Sequence, residues 1–209
     1  MAKQKRKCKG KGSGFEREFA TYLSEWVSRG QRDDIFWRTQ NSGGRATSRR
    51  KTGLDTRGQY GDIGCTDPEW AFVTEAICFE LKRGYMAANF HDMFDQMHTT
   101  NAFDFETFLD QTITAHEAAN TGAWVLVTRR DHRTELMTMD RTLYDALMDE
   151  DRKAFLNISP AARQTLNVRR ATLETTDTID CFTCKSADFW ERVRPTAFIN
   201  ACRQLAIPF

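Results

Sequence analysis

The chain has 209 residues, 40% of them hydrophobic and 28% charged, with a formal net charge of +1. These values are ordinary for a soluble globular protein of one domain with elaborations. No run approaches the roughly 20 apolar residues of a membrane span, and no apolar stretch follows the basic N-terminus as in a secretory signal, so the expectation is a cytoplasmic protein with no membrane partner.

The net charge hides a split. Residues 1–58 carry 15 Lys and Arg against 6 Asp and Glu, an excess of +9, which leaves −8 for the remainder. Such asymmetry points to a basic surface for a polyanion, carried on a body that is itself acidic. The six cysteines are scattered, as in a reduced compartment. Cys65 and Cys78 read as small buried hydrophobes.

Residues 1–14, with six positive charges and three glycines, read as a flexible basic arm. A helix is expected from Phe15 to about Arg29. Ser13 would cap it, and Glu16 and Glu18 would lie in the first turn, where the helix dipole favours acids. Phe15, Phe19, Tyr22, Leu23, Trp26 and Val27 form its apolar stripe. Ile35 to Arg38 is a short strand. Thr39 to Tyr60 has no hydrophobic period and reads as a long loop, in which Arg45, Arg49, Arg50, Lys51 and Arg57 suit phosphate contacts.

Gly61 to Thr66 is the second strand, Asp67 to Trp70 a turn, and about Ala76 to Lys82 the third strand. Side chains alternate along a strand, so Glu80 and Lys82 share one face and Leu81 takes the other. Two amphipathic helices follow, one striped by Phe90, Met93, Phe94 and Met97, the other by Phe105, Phe108, Leu109, Thr112 and Ile113. Residues 88–121 contain no Lys or Arg, so this face should point away from nucleic acid or toward a partner. Trp124 to Thr128 has the dense apolar character of a buried central strand. Glu135 to Met139 is another strand and 141–150 a helix. Val168 to Leu173 and Ile179 to Thr183 read as edge strands, Ala187 to Val193 and Thr196 to Leu205 as short helices. The order predicts an α/β domain with a mixed sheet and helices on both sides.

An acid pair beside a lysine is equipment for holding a divalent metal and activating water against a phosphodiester. Asp62 and Glu80 supply carboxylates. The carbonyl of Leu81 could be a third ligand, and Glu16 could reach in from the first helix. Lys82 could orient or deprotonate the water, or stabilise developing charge. Mg²⁺ is the expected metal, with Mn²⁺ as its substitute. Glu-x-Lys by itself also describes a same-face surface ion pair. Cys181-Phe182-Thr183-Cys184 lacks the second ligand pair that zinc needs and reads better as two structural cysteines.

Together, Gly14-Phe15-Glu16-Arg17-Glu18-Phe19, the basic loop with Ser42, Gly43 and Gly44, Gly61-Asp62-Ile63, and Phe79-Glu80-Leu81-Lys82 resemble the PD-(D/E)XK nuclease superfamily. The beginning, Lys11-Gly12 through Glu18, is most similar to archaeal-type Holliday-junction resolvases. The resemblance covers roughly residues 11–128. It implies a restriction-endonuclease-like core of order αβββαβ over 15–140, a mixed central sheet flanked by helices, with 141–209 as a C-terminal elaboration of the same domain. It further implies a metal site of Glu16, Asp62 and Glu80, with Lys82 as the catalytic lysine. Arg17, Ser42 and the loop basics would contact DNA. The implied activity is that of a phage or prokaryotic DNA endonuclease, a homodimer cutting branched DNA in recombination or replication. A restriction-type or repair duplex endonuclease, and a non-catalytic DNA-binding module, are the alternatives. The chain departs from the pattern in its longer loop, in Gly61 where the motif has proline, and in the long segment after the shared core.

Overall fold

The computed structural model describes residues 9–39, 61–85 and 104–206. The basic loop and the helix expected around Phe90 to Met97 fall outside these residues. The chain begins with α1 (Lys9–Val27), then β1 (Phe36–Arg38), β2 (Ile63–Cys65), α2 (Ala71–Ala76) and β3 (Ile77–Arg83). It continues with α3 (Asp104–Ala119), β4 (Ala123–Arg129), β5 (Leu136–Asp140) and α4 (Arg141–Leu156). It ends with β6 (Ala161–Arg170), β7 (Thr175–Lys185), α5 (Ser186–Arg192) and α6 (Pro195–Leu205). No helix among the described residues is long and apolar enough to cross a membrane.

Five strands form one mixed sheet of order β3-β4-β5-β7-β6. β3 and β4 run parallel, with Glu80 opposite Leu126 and Lys82 opposite Thr128, and the remaining pairs are antiparallel. β1 and β2 form a separate antiparallel pair in which Arg38 faces Ile63. The sequence pattern places short strands at the sheet edge near residues 168–173 and 179–183. Both are longer in the structure, and β7 lies inside the sheet, between β5 and β6. Only Cys181 to Thr183 and their neighbour Cys184 form a continuously buried run, and the polar first half of β7 mutes the apolar signal.

One face of the sheet packs on α1 and the C-terminal helices, around Phe15, Phe19, Leu23, Phe79, Phe189 and Phe198. The other packs on α3, through Phe105, Phe108, Leu109 and Ile113 against Cys78, Trp124 and Leu126. These apolar side chains recur at helical and strand spacings, and each buried one contributes about 1.5–3 kcal/mol. Trp26 and Trp190 meet edge to face with centroids 4.9 Å apart, and the Trp26 indole donates to the Trp190 carbonyl at 3.0 Å. The C-terminal helices therefore cover the α1 stripe. Tyr22 departs from the expected stripe, at 44% exposure.

Local differences have local causes. α1 begins at Lys9, inside the segment that reads as an arm, so Ser13 is within the helix instead of capping it and Glu16 and Glu18 lie beyond the first turn. The short helix α2 carries no side-chain cap at its start and so no sequence signal for one. Cys65 is half-buried, while Cys78 is buried. Cys181 and Cys184 are three apart on a strand, so they face opposite sides of the sheet in separate core clusters. They cannot share a zinc ion.

The acidic surface of α3 meets arginines of β6. Arg170, 2% exposed, contacts Asp110 at 2.9 Å, Glu117 at 2.6 Å and Asp177 at 2.8 Å. Glu106 accepts from Arg169 at 2.6 Å. α3 is thus tied to the far strand of the sheet, and Glu106, Asp110 and Glu117 are neutralised within the protein.

Gly61 enters β2 with φ +74°, and a Cβ there would lie 2.7 Å from the Phe79 carbonyl oxygen. Proline, fixed near −65°, cannot take this conformation.

Two substitutions test these supports. Arg170→Ala leaves carboxylates unpaired around a cavity and should cost about 3 kcal/mol in urea unfolding, at the low end for a broken buried pair because Glu117 and Asp177 are partly exposed. Gly61→Ala should cost about 1–2 kcal/mol for the left-handed backbone, plus the contact with Phe79, and Gly61→Pro should cost more in the same measurement.

Candidate active site

β3 carries the centre of the site. Phe79 and Leu81 enter the core on the α1 side. Alternation sends Cys78, Glu80 and Lys82 to the α3 side, where Cys78 is buried and the Lys82 ammonium lies 5.6 Å from the centroid of the Phe108 ring. The Glu80 and Lys82 side chains are 14% and 16% exposed, and Lys82 Nζ donates to Glu80 Oε1 at 2.5 Å. The pair is enclosed, unlike a solvated pair on an open strand.

Asp62 arrives from a distant part of the chain and is clamped to the outer edge of β3. Its N–H donates to the Phe79 carbonyl at 2.7 Å. The Leu81 N–H donates to Asp62 Oδ2 at 2.8 Å. On its other side, the Asp62 carbonyl accepts from the Thr39 N–H at 3.0 Å, and the Thr39 hydroxyl donates to the Gly61 carbonyl at 2.6 Å. Asp62 is therefore held by backbone on two strands before any ligand arrives.

The electrostatics follow from this crowding. Burial pushes the Asp62 carboxyl well above its ordinary value, and Glu80 adds to it, against the Leu81 N–H and the Lys82 ammonium. Glu16 adds a smaller repulsion. Burial pulls Lys82 down, but attraction to Glu80 and Asp62 outweighs it, so its value is raised. Lys82 is therefore a cation here, suited to holding an anion and unable to accept a proton.

Glu16 lies on α1 beside the site, but its carboxylate is engaged by the Arg38 guanidinium of β1. Among the described residues, no three Asp, Glu, His or Cys side chains gather closely enough to hold a metal ion. Two carboxylates and a backbone carbonyl nevertheless suit a hard, oxygen-seeking divalent cation that keeps several waters, and the mutual repulsion of Asp62 and Glu80 is what such a cation would relieve.

Arg17 is exposed, and its Nε donates to the Ser13 carbonyl of its own helix at 3.0 Å. Ser42, Arg45, Arg49, Arg50, Lys51 and Arg57 lie outside the described residues. Asp67 is engaged by Arg32 and accepts from the Glu69 N–H at 3.0 Å, so it serves the turn.

Arg38 and Tyr85 escape sequence reasoning. Arg38 reaches the site only through the β1–β2 register. Tyr85, 48% exposed, lies close enough to influence Lys82, and its ring meets Phe108 edge to face at 4.7 Å. Neither residue belongs to a spacing pattern that would single it out.

Comparison with curated proteins and with solved structures finds no match. A protein-family model described as "Phage putative PDDEXK endonuclease" matches residues 7–200. That span takes in α1, the clamp between Asp62 and β3, the Glu80–Lys82 pair and the C-terminal third as far as the first half of α6. The chain belongs to this PDDEXK endonuclease family.

Proposed function

We propose that the chain is a Mg²⁺-dependent endodeoxyribonuclease that hydrolyses phosphodiester bonds in branched DNA, in the manner of a Holliday-junction resolvase. It would act as a cytoplasmic homodimer in recombination or replication. The observation that carries the nuclease reading is the clamp of Asp62 on β3 beside the enclosed Glu80–Lys82 pair. The preference for branched DNA rests on the resemblance of the Lys11 to Glu18 segment to resolvases.

Asp62, Glu80 and the Leu81 carbonyl would hold the metal. The Leu81 N–H points to Asp62, and the N–H and C=O of one strand residue point to the same edge, so the Leu81 carbonyl faces this site as well. Bound there, the metal supplies charge neutralisation at the scissile phosphate and an acidified water. Lys82, already a cation, orients the attacking water and stabilises the charge that grows on the phosphate oxygens. Arg38 is placed to exchange Glu16 for a phosphate, which frees Glu16 as the third carboxylate. Arg17, Ser42 and the basic loop residues Arg45, Arg49, Arg50, Lys51 and Arg57 would bind the DNA backbone.

Supercoiled plasmid, linear duplex and a synthetic four-way junction, each incubated with Mg²⁺ or Mn²⁺, test the proposal. Wild type should cut the junction in preference to linear duplex. Glu80→Ala and Lys82→Ala should each lose on the order of 10²–10³ in rate while remaining folded. Equal cutting of linear duplex overturns the branched-DNA preference in favour of a restriction-type or repair nuclease. Absence of cleavage with every substrate overturns the enzyme and leaves a DNA-binding module.

A second prediction is read from stability. A carboxyl whose folded-state value is raised, here from 3.8 to about 7, contributes stability that is present below about 4 and lost as pH rises through about 7. The metal-free protein should therefore lose thermal stability between about pH 4 and pH 7. Asp62→Asn should reduce that loss. Mg²⁺ or Mn²⁺ should raise the melting temperature of wild type at pH 8 but leave Asp62→Asn nearly unmoved, as differential scanning fluorimetry would show.

A further inference from the structure

Between α1 and α5, where β4 ends and β5 begins, lies a cavity of about 440 Å³. That is within the range of small-ligand sites. Phe15, Phe19, Tyr22 and Trp190 line it. Phe15 and Phe19 are buried, whereas Tyr22 is exposed and its ring meets Trp190 edge to face at 5.4 Å. An aromatic surface is thus left open toward solvent.

The polar groups of the cavity are few and specific. Ser186 is 2% exposed, and its hydroxyl closes no hydrogen bond of full geometry. Its backbone N–H donates to the Glu135 carbonyl at 3.1 Å, which sets the two residues side by side on one wall. Burial pushes the Glu135 carboxyl up, against the pull of the nearby Ser186 hydroxyl and Arg129. A buried hydroxyl and a partly desolvated carboxylate give this wall a polar character, so a purely apolar occupant does not fit.

The rim is cationic. Arg129 and Arg133 line it with Glu18. Glu18 accepts from Arg129 at 3.1 Å and pairs with Arg83 at 3.7 Å. Arg83 directly follows Lys82, so the strand that presents Glu80 and Lys82 on one face sends a guanidinium toward Glu18 and the Phe15 ring on the other. The Arg83 and Arg129 guanidinium carbons each lie 6.0 Å from the centroid of the Phe15 ring.

From these features we infer that the cavity is a nucleotide subsite, taking one unpaired nucleotide whose base presents adjacent N–H donors, as guanine does. Aromatic faces stack on any base. A carboxylate only accepts, so Glu135 selects a donor edge, and guanine offers two neighbouring N–H groups to its two oxygens. The Ser186 hydroxyl completes the polar wall, and the rim arginines take the phosphate. The inference rests on the proposed nuclease reading for the origin of the nucleotide, since unpaired nucleotides occur where DNA branches or ends. The binding chemistry itself needs no cleavage.

Wild-type protein in EDTA is titrated with dGMP, dCMP, dAMP and dTMP by equilibrium dialysis, with tryptophan fluorescence as a second readout. The expected result is saturable binding of dGMP at least about tenfold tighter than dTMP, with quenching that Trp190→Phe largely removes. Glu135→Gln should erase the preference for dGMP, and Tyr22→Ala should weaken all four by about tenfold, a size typical of one stacking contact or one charged hydrogen bond. Circular dichroism shows that each variant is folded. Binding that is equal for the four nucleotides, absent for all of them, or unchanged in Glu135→Gln overturns the inference. DNA cleavage by a protein that binds no nucleotide would sink the subsite and leave the nuclease reading intact, and dGMP binding by a protein that cuts no DNA does the reverse.

Discussion

The site depends on two backbone hydrogen bonds between Asp62 and β3. One joins the Asp62 N–H to the Phe79 carbonyl, the other the Leu81 N–H to the Asp62 carboxylate. Together they fix an acid beside the edge of a strand, with Glu80 and Lys82 displayed on one of its faces. Every other support can be traced to this clamp. Residue 61 must be glycine, because its φ is positive and a side chain would collide with the Phe79 carbonyl. Thr39 holds the Gly61 and Asp62 carbonyls from the far side. Ser24 anchors the preceding strand to α1 by accepting from the Phe36 N–H at 2.9 Å while donating to the Ala20 carbonyl at 2.8 Å.

A second constraint is the neutralisation of acids by internal cations. Glu80 is met by Lys82, Glu16 by Arg38, and Glu18 by Arg83 and Arg129. The same economy operates at the other end of the sheet, where α3 carboxylates meet Arg169 and Arg170. The two sets have different physical meaning. Arg170 is buried among its partners, so its ion pairs are part of the fold. Arg38 and Arg129 are about one-third exposed, so a phosphate can compete for them at modest cost. Burial and Glu80 both disfavour the charge of Asp62, against the Leu81 N–H and the Lys82 ammonium.

The C-terminal third belongs to the same physical problem. α1 carries Glu16 on one side and a bulky aromatic stripe on another, and that stripe must be covered. Phe189, Trp190 and Phe198 cover it, while β7 occupies an interior position in the sheet. The family match through residue 200 extends over these elements too. Their packing also creates the aromatic cavity beside Arg129, so one set of contacts serves both the support of α1 and the surface next to the site.

Much of this was legible in residue order alone. Period-two alternation sets Glu80 and Lys82 on one face of β3 because a strand has no other option, and the apolar run of β4 marks a buried strand for the same local reason. The three- and four-residue spacing of Phe15, Phe19, Leu23 and Val27 determined the buried stripe of α1. Local periodicity could not show that Arg38 engages Glu16, that Tyr85 stands near Lys82, or that α3 neutralises Arg170, since each joins residues far apart in the chain. It misplaced Tyr22 and the interior strand β7, whose environments are set by neighbours and not by pattern. The sequence by itself determined that Glu80 and Lys82 share one face of β3 and that Phe79 and Leu81 take the other. The tertiary structure decided which of them meet and which are held apart, because hydrogen bonds and ion pairs across the fold depend on register and packing that no local repeat encodes.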